Sequence, residues 1–231
     1  MADRKFDGLL FDKDGTLFSF QNTWANWMFR VLQRFAGHDH HLCRQLAQEL
    51  GFDLDTERFI EGSPFVTGTP NFTIDLLCRH FPELTRSDII GKLVTISAVE
   101  QQCQATPLRP LLAELRTRVP RIGVATNDHR ESAIAHLRSA DCDDQFDFIA
   151  GSDSGYGEKP DPAMLLAFCA RFGITPKRCI MVGDSLVDME SGRRAGMTVI
   201  AVLTGVETIE KLSPHADAVL DDIGHLPKWL G

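Results

Sequence analysis

The chain has 231 residues, 43% of them hydrophobic and 24% charged, which suits a globular protein with one large core or a core and a smaller companion. A formal net charge of -8 removes any global electrostatic reason to bind nucleic acid or an anionic membrane, so an anionic ligand has to be held by local groups. No apolar run approaches the roughly 18 residues of a membrane span, and the six cysteines, scattered without a C-x-x-C pair, read as reduced thiols.

From the N-terminus, Met1–Phe6 runs directly into an apolar stretch without the h-region of a signal peptide, so the expected location is the cytoplasm. The stretch itself, Gly8–Phe11, is short, wholly apolar and followed at once by Asp12-Lys-Asp-Gly-Thr16, as expected of a buried parallel strand ending in a turn. From residue 18 to 104 the pattern changes to helical stripes. Trp24, Trp27, Met28, Val31, Leu32 and Phe35 share one face, and Leu42, Leu46 and Leu50 a second. A third stripe, Ile74, Leu77 and Cys78, follows a candidate N-cap at Asn71. A fourth, Ile89, Ile90, Leu93 and Ile96, follows Ser87, and no strand is expected in this region.

Beyond it, strand patterns return at Ile122–Thr126, Phe146–Ala150, Ile180–Gly183, Val199–Leu203 and Ala218–Leu220. Helical stretches lie between them at Arg130–Ala140, Pro162–Phe172 and Asp188–Ala195. Strand alternating with helix implies βα units, hence an α/β fold with a Rossmann-like parallel sheet and helices on both faces. The expected organisation is a core of residues 1–17 and 105–231, split by a helical module at 18–104. Ligands of such sheets bind at the carboxyl ends of the strands.

Four polar clusters fall at those ends. Asp12 and Asp14 bring two carboxylates together, which repel unless a proton or a cation intervenes; a hard divalent ion such as Mg²⁺ suits oxygen ligands. Gly15 permits a tight turn, and Thr16 can bond the freed backbone. Thr126 and Asn127 can both donate to an anion, although Thr-Asn at a strand end also serves as a helix cap. Lys159, in Gly157-Glu-Lys-Pro-Asp-Pro162, sits in a stiff segment that could aim an ammonium inward. In Gly183-Asp-Ser-Leu-Val-Asp188, Asp184 would meet the first acid pair if the two strands are neighbours. Asp188, one helical turn on, could support the ion or Lys159.

With these motifs the sequence resembles the haloacid dehalogenase superfamily, specifically its phosphatases with a helical cap after the first motif. The matching residues are Asp12-Lys-Asp-Gly-Thr-Leu17, Thr126-Asn127, Gly157–Pro162, Gly183-Asp-Ser-x-x-Asp188, Thr204-Gly205 and Ala216–Leu220. The resemblance implies a Mg²⁺-dependent phosphatase acting on a small phosphorylated metabolite through an aspartyl-phosphate intermediate, as a monomer or homodimer without nucleic-acid or membrane partners. Asp12 would be nucleophile and metal ligand. Asp14 would protonate the leaving oxygen, then activate water, and lend its backbone carbonyl to the metal. Thr126 and Lys159 would hold the phosphoryl group, with Asn127, Gly15 and Thr16 beside it; Asp184 would complete the metal ligands, with Asp188 adjacent. A phosphomutase would keep the same residues, so the motifs leave that alternative open. A receiver-like module or a catalytically silent relative would need no such insertion or no such complete set.

One departure is Lys13, where relatives carry an apolar or aromatic residue. By strand alternation its side chain is expected to point away from Asp12 and Asp14 and to leave the chemistry intact. Substrate identity is expected to come from the inserted module. Its loop at 62–70, with Thr67 and Thr69, resembles a specificity loop, and phosphoglycolate phosphatases are the nearest subgroup by layout, with Arg58 or Arg79 available for a substrate carboxylate. His38-Asp-His-His41 reads as a solvated connection, not a zinc site. The stripe of Trp24, Trp27 and Phe35 reads as core, with Trp24 still able to face a cleft.

Overall fold

The computed structural model describes residues 5–60, 62–67, 71–97 and 102–231. After β1 (Gly8–Phe11) the chain forms α1 (Phe20–Ala36), α2 (His40–Leu50), β2 (Phe52–Asp53), β3 (Arg58–Phe59), α3 (Pro64–Thr67), α4 (Asn71–His80) and α5 (Arg86–Ser97). It continues through α6 (Leu108–Arg118), β4 (Arg121–Ala125), α7 (Arg130–Ser139), β5 (Phe148–Ala150), α8 (Ala163–Phe172) and β6 (Cys179–Gly183). The last elements are α9 (Leu186–Ala195), β7 (Thr198–Val202), α10 (Ile209–Leu212), β8 (Ala218–Leu220) and α11 (Leu226–Leu230). The chain falls into two compact units, residues 1–20 with 102–231 and residues 21–101.

The first unit is built on a six-stranded sheet in the order β5-β4-β1-β6-β7-β8, with every pairing parallel. This is the α/β, Rossmann-like sheet with helices on both faces that the alternating pattern implies. Period-2 alternation assigns each strand residue to one face. Leu9, Phe11, Ile122, Val124, Ile180, Val182, Ile200 and Val202 pack with leucines 108, 111, 112 and 115 of α6 and with Leu137 and Leu226. Leu10, Ala125, Cys179 and Met181 face the other way, against Met164, Leu165, Phe168 and Cys169 of α8. Helix α6 adds to the expected helices; its leucines 108, 111, 112 and 115 fall at helical spacing on one face.

The topology puts β1 at the centre, flanked by β4 and β6. Register pairs Phe11 with Val124 on one side and Val182 on the other, so the first residues beyond three strands emerge together. The chain leaves and re-enters this unit side by side: Ala105 N donates to Leu17 O at 3.0 Å and Ser19 N to Cys103 O at 2.8 Å. An insertion with adjacent ends leaves the core ladder undisturbed.

The second unit is mostly helical, but Phe52–Asp53 and Arg58–Phe59 pair as a short antiparallel ribbon, correcting the expectation of no strand. Pairing is set there by aromatic contact: the Phe52 and Phe59 ring centroids lie 5.0 Å apart, and Phe59 stacks on Phe65 at 4.8 Å. Trp27 is buried and Trp24 half-buried, both against Phe65, so the tryptophan stripe is core. Asp39 of the histidine-rich segment caps α2, accepting from His41 N and Leu42 N, both at 3.0 Å. In α5 the buried stripe is Ile89, Leu93 and Ile96, whereas Ile90 is exposed. That helix starts before Ser87 because Thr85 and Asp88 cap each other reciprocally. Of the loop at 62–70, Thr69 and the Thr67 side chain lie outside the described residues.

Close packing around β1 gives a direct test. A Cβ added at Gly8 would sit 2.7 Å from the Phe168 ring and 2.8 Å from Cys179 Sγ. Gly8→Ala is therefore expected to cost about 1–3 kcal/mol by overpacking, read as a lower urea midpoint. An unchanged midpoint would mean that the strand and α8 can separate freely.

Candidate active site

Asp12 directly follows β1, its N–H still continuing the sheet ladder onto Val182 O at 2.9 Å. Asp184 directly follows β6, and Asp188 lies in the first turn of α9. Because β1 and β6 are neighbours, these three buried carboxylates converge, each offering an oxygen within 4.8 Å of the others. Lys159 enters the same cluster from the loop after β5. Its buried ammonium donates to Asp12 Oδ1 and to Asp188 Oδ1, both at 2.6 Å.

Each member is fixed by local structure. Ser185 and Asp188 form a capping box at the start of α9, with Ser185 Oγ donating to Asp188 Oδ2 at 2.6 Å. Thr16 Oγ1 donates to Asp184 Oδ1 at 3.2 Å, and Thr204 Oγ1 donates to Gly15 O at 2.6 Å. Gly15 has φ +83°, and a Cβ there would lie 2.2 Å from Asp184 Oδ2; one at Gly205 would lie 1.8 Å away. Both glycines are thus required to admit the Asp184 carboxylate. Asn127 brackets the Lys159 backbone, donating from Nδ2 to Lys159 O at 3.0 Å and accepting from Lys159 N at 2.8 Å. These two bonds tie Asn127 to that loop.

Asp12, Asp14, Thr126, Asn127, Asp128, Lys159, Ser185, Val187 and Asp188 line one cavity of about 230 Å³. Lys13 corrects the expectation from alternation. It does not turn away from Asp14 but folds beside it, buried, with Nζ 2.7 Å from Asp14 Oδ1. The strict period of two ends with the strand at Phe11, and residues 13–18 form a turn in which Lys13 O accepts from Leu17 N and Phe18 N. Lys13 Nζ also lies 3.2 Å from Asp128 Oδ2 and 3.0 Å from His136 Nδ1. Asp128, Ser185 and His136 were not among the expected site residues. Asp128, directly after Thr126-Asn127, and Ser185, inside Gly183-Asp-Ser-Leu-Val-Asp188, had local signals; His136 had none.

The electrostatics follow from burial. Burial raises the Asp12 carboxyl to about 7, against the opposing pull of Lys159 and with further help from Asp188. Burial, then Asp188 and Asp12, hold Asp184 well above the usual carboxylate range. Burial alone would lower Lys159, but Asp12 and Asp188 outweigh it and hold the ammonium charged. Burial also favours the neutral carboxyl at Asp128, but the Ser132 hydroxyl and Lys13 overcome it and keep the group ionised. Burial and then the Lys13 charge depress His136, so its neutral imidazole accepts from Lys13. Burial and mutual repulsion thus hold protons on Asp12 and Asp184 that a bound cation would displace, and an all-oxygen donor set of this kind fits a hard divalent cation.

Comparison with known proteins follows the same lines. The sequence pattern of the haloacid dehalogenase-like hydrolases matches residues 6–196. A phosphoglycolate phosphatase of Rhodospirillum rubrum is 36% identical over 121 residues, 52% of this chain and 50% of that protein. The human N-acylneuraminate-9-phosphatase is 30% identical over 129 residues, 54% of this chain and 51% of its own length. The chain thus spans about half the length of the curated relatives it matches. A haloacid dehalogenase family hydrolase from Deinococcus radiodurans, solved with bound phosphate and sodium, superposes with TM-score 0.70 at 24% identity, covering 97% of this chain and 94% of that one. At that identity the likeness is one of fold.

The raised acids predict a pH dependence for the cation-free protein. Between pH 3.8 and about 7 folded Asp12 holds a proton that the unfolded chain releases, so stability falls as pH rises through that window. In chelator the melting temperature is expected to drop across it. Added Mg²⁺ should restore far more at about pH 7 than at about pH 5, because protons compete with the ion at low pH. An Mg²⁺ effect equal at both pH values, or undiminished in Asp184→Asn, would contradict a cation site at this cluster.

Proposed function

This chain belongs to the haloacid dehalogenase-like hydrolase family, and on that premise we propose that it is a divalent-cation-dependent phosphatase of small phosphomonoesters. The observation that carries the reading is the buried cluster of Asp12, Asp184 and Asp188 bridged by Lys159, opening on a cavity that Asp14 and Thr126 also line. A merely structural role does not call for three carboxyl groups buried together beside a single ammonium, since such groups cost stability unless paired.

Asp12 is the nucleophile. It attacks phosphorus, forming an acyl phosphate as the ester P–O bond breaks, and Asp14 gives its proton to the departing oxygen. Asp14 then takes a proton from water, whose oxygen attacks phosphorus and releases inorganic phosphate and free Asp12. Lys159 holds Asp12 in place and carries the positive charge that a phosphoryl oxygen meets on arrival. Thr126 lines the same cavity as a hydroxyl donor; Asn127 acts through the Lys159 loop that it brackets. Mg²⁺, held by Asp12, Asp184 and the backbone of Asp14 with Asp188 beside them, would neutralise and orient the transferring group.

Residues 21–101 are read as the cap that selects the substrate. The phosphoglycolate phosphatases among the relatives support a phosphorylated small acid. Arg58 and Arg79, the candidates for its carboxylate, are both exposed in that unit.

Phosphate release from a panel of small phosphomonoesters, including 2-phosphoglycolate and sugar phosphates, tests the proposal with Mg²⁺ and with chelator. Release is expected only with the metal and should vanish in Asp12→Asn, while Asp14→Asn should lose on the order of 10²–10⁴-fold in kcat. Near-normal turnover in Asp12→Asn would sink the nucleophile. Conversion of one phosphate ester into its isomer, without release, would make the protein a mutase.

A further inference from the structure

Lys13 is a buried ammonium that the reaction above does not use. An ammonium has three N–H donors, and Lys13 Nζ has three partners: Asp14 Oδ1 at 2.7 Å, His136 Nδ1 at 3.0 Å and Asp128 Oδ2 at 3.2 Å. Its donors are thereby committed to the protein. Lys13 is not among the residues lining the cavity, whereas Asp14 and Asp128 are. The cation therefore stands behind two carboxylates that face the reaction space. Asp128 is tied from its other side by Ser132 Oγ at 2.7 Å, and its N–H donates to Thr126 Oγ1 at 3.1 Å.

We infer that Lys13 is a positioning residue for Asp14, anchoring the general acid to helix α7 through Asp128 and His136. Asp14 sits in a turn with its side chain 36% exposed, where a carboxylate would otherwise sample several rotamers. A proton donor must lie within hydrogen-bond reach of the leaving oxygen, so losing a fixed rotamer lowers the rate of that step. The inference rests on Asp14 acting as the acid in the proposed phosphatase reaction.

Leaving-group dependence separates this role from a merely structural one. Departure of an alkoxide needs a proton, whereas p-nitrophenolate leaves without one. In a two-step transfer, kcat/KM reports only the steps up to that departure. The experiment compares kcat/KM for 2-phosphoglycolate, or the best alkyl ester of the panel, with that for p-nitrophenyl phosphate. It uses the full chain with Mg²⁺, as wild type, Lys13→Met, Lys13→Gln and Asp14→Asn. Lys13→Gln keeps a donor and carries the comparison if the Met variant does not fold. Lys13 variants are expected to lower the alkyl-to-aryl ratio by at least about tenfold, a fraction of the full acid-catalysis effect. Asp14→Asn should lower it further, and adding Lys13→Gln to Asp14→Asn should change it no more. Equal losses on both esters in the Lys13 variants, with the ratio still depressed in Asp14→Asn, would overturn the inference alone. An unaltered ratio in Asp14→Asn would overturn the acid assignment and the inference with it.

Discussion

Three carboxylates buried against one another cannot all be ionised unless positive charge lies among them. Asp12, Asp184 and Asp188 are brought to that condition by the parallel pairing of β1 with β6 and by a capping box at α9. Lys159 meets part of the requirement from a separate loop, and burial keeps the residual charge from being screened by water. Much else in the core unit serves this arrangement. Gly15 and Gly205 are small because the Asp184 carboxylate occupies the space of their missing side chains. Asn127 ties down the backbone that carries Lys159.

The site divides its two buried lysines between different tasks. Lys159 lies within the cluster, touching Asp12, and lines the cavity. Lys13 lies one layer back and ties the turn after β1 to α7. Both are almost fully buried, yet neither is an uncompensated charge, since each contacts two carboxylates. In the proposed reaction the same short segment, residues 12–16, supplies the nucleophile Asp12, the positioning residue Lys13, the acid Asp14 and the glycine that admits Asp184.

Much of this was legible in the sequence because the information is local. Short apolar runs such as Gly8–Phe11 and Ile180–Val182 can only be buried parallel strands when helices separate them, and ligands meet such sheets at the carboxyl ends. Asp12, Thr126 and Asp184 stand at such ends, and with Lys159 they became legible as a set and through the family resemblance, not singly. What escaped depends on contacts distant in sequence or on chain geometry after the strand ends. The Lys13–His136 pair spans 123 positions, and no spacing rule relates them. Alternation failed at Lys13 because it was extended past Phe11 into a turn. The ribbon at Phe52 and Phe59 is two residues per strand, too short for any period to register. Helix α6, by contrast, was legible in the spacing of Leu108, Leu111, Leu112 and Leu115, with Pro110 tolerated in a first turn where its missing N–H costs nothing.

Covalent phosphorylation of Asp12 is the step on which the proposed chemistry turns. The most direct test mixes the protein with a turned-over phosphomonoester and Mg²⁺, quenches it in acid within one turnover, and maps the peptide that holds residues 8–16 by mass spectrometry. One hydroxylamine-labile phosphoryl group is expected on Asp12, absent from Asp12→Asn. Phosphate release in the same burst with no adduct on Asp12, or an adduct on another residue, would contradict it.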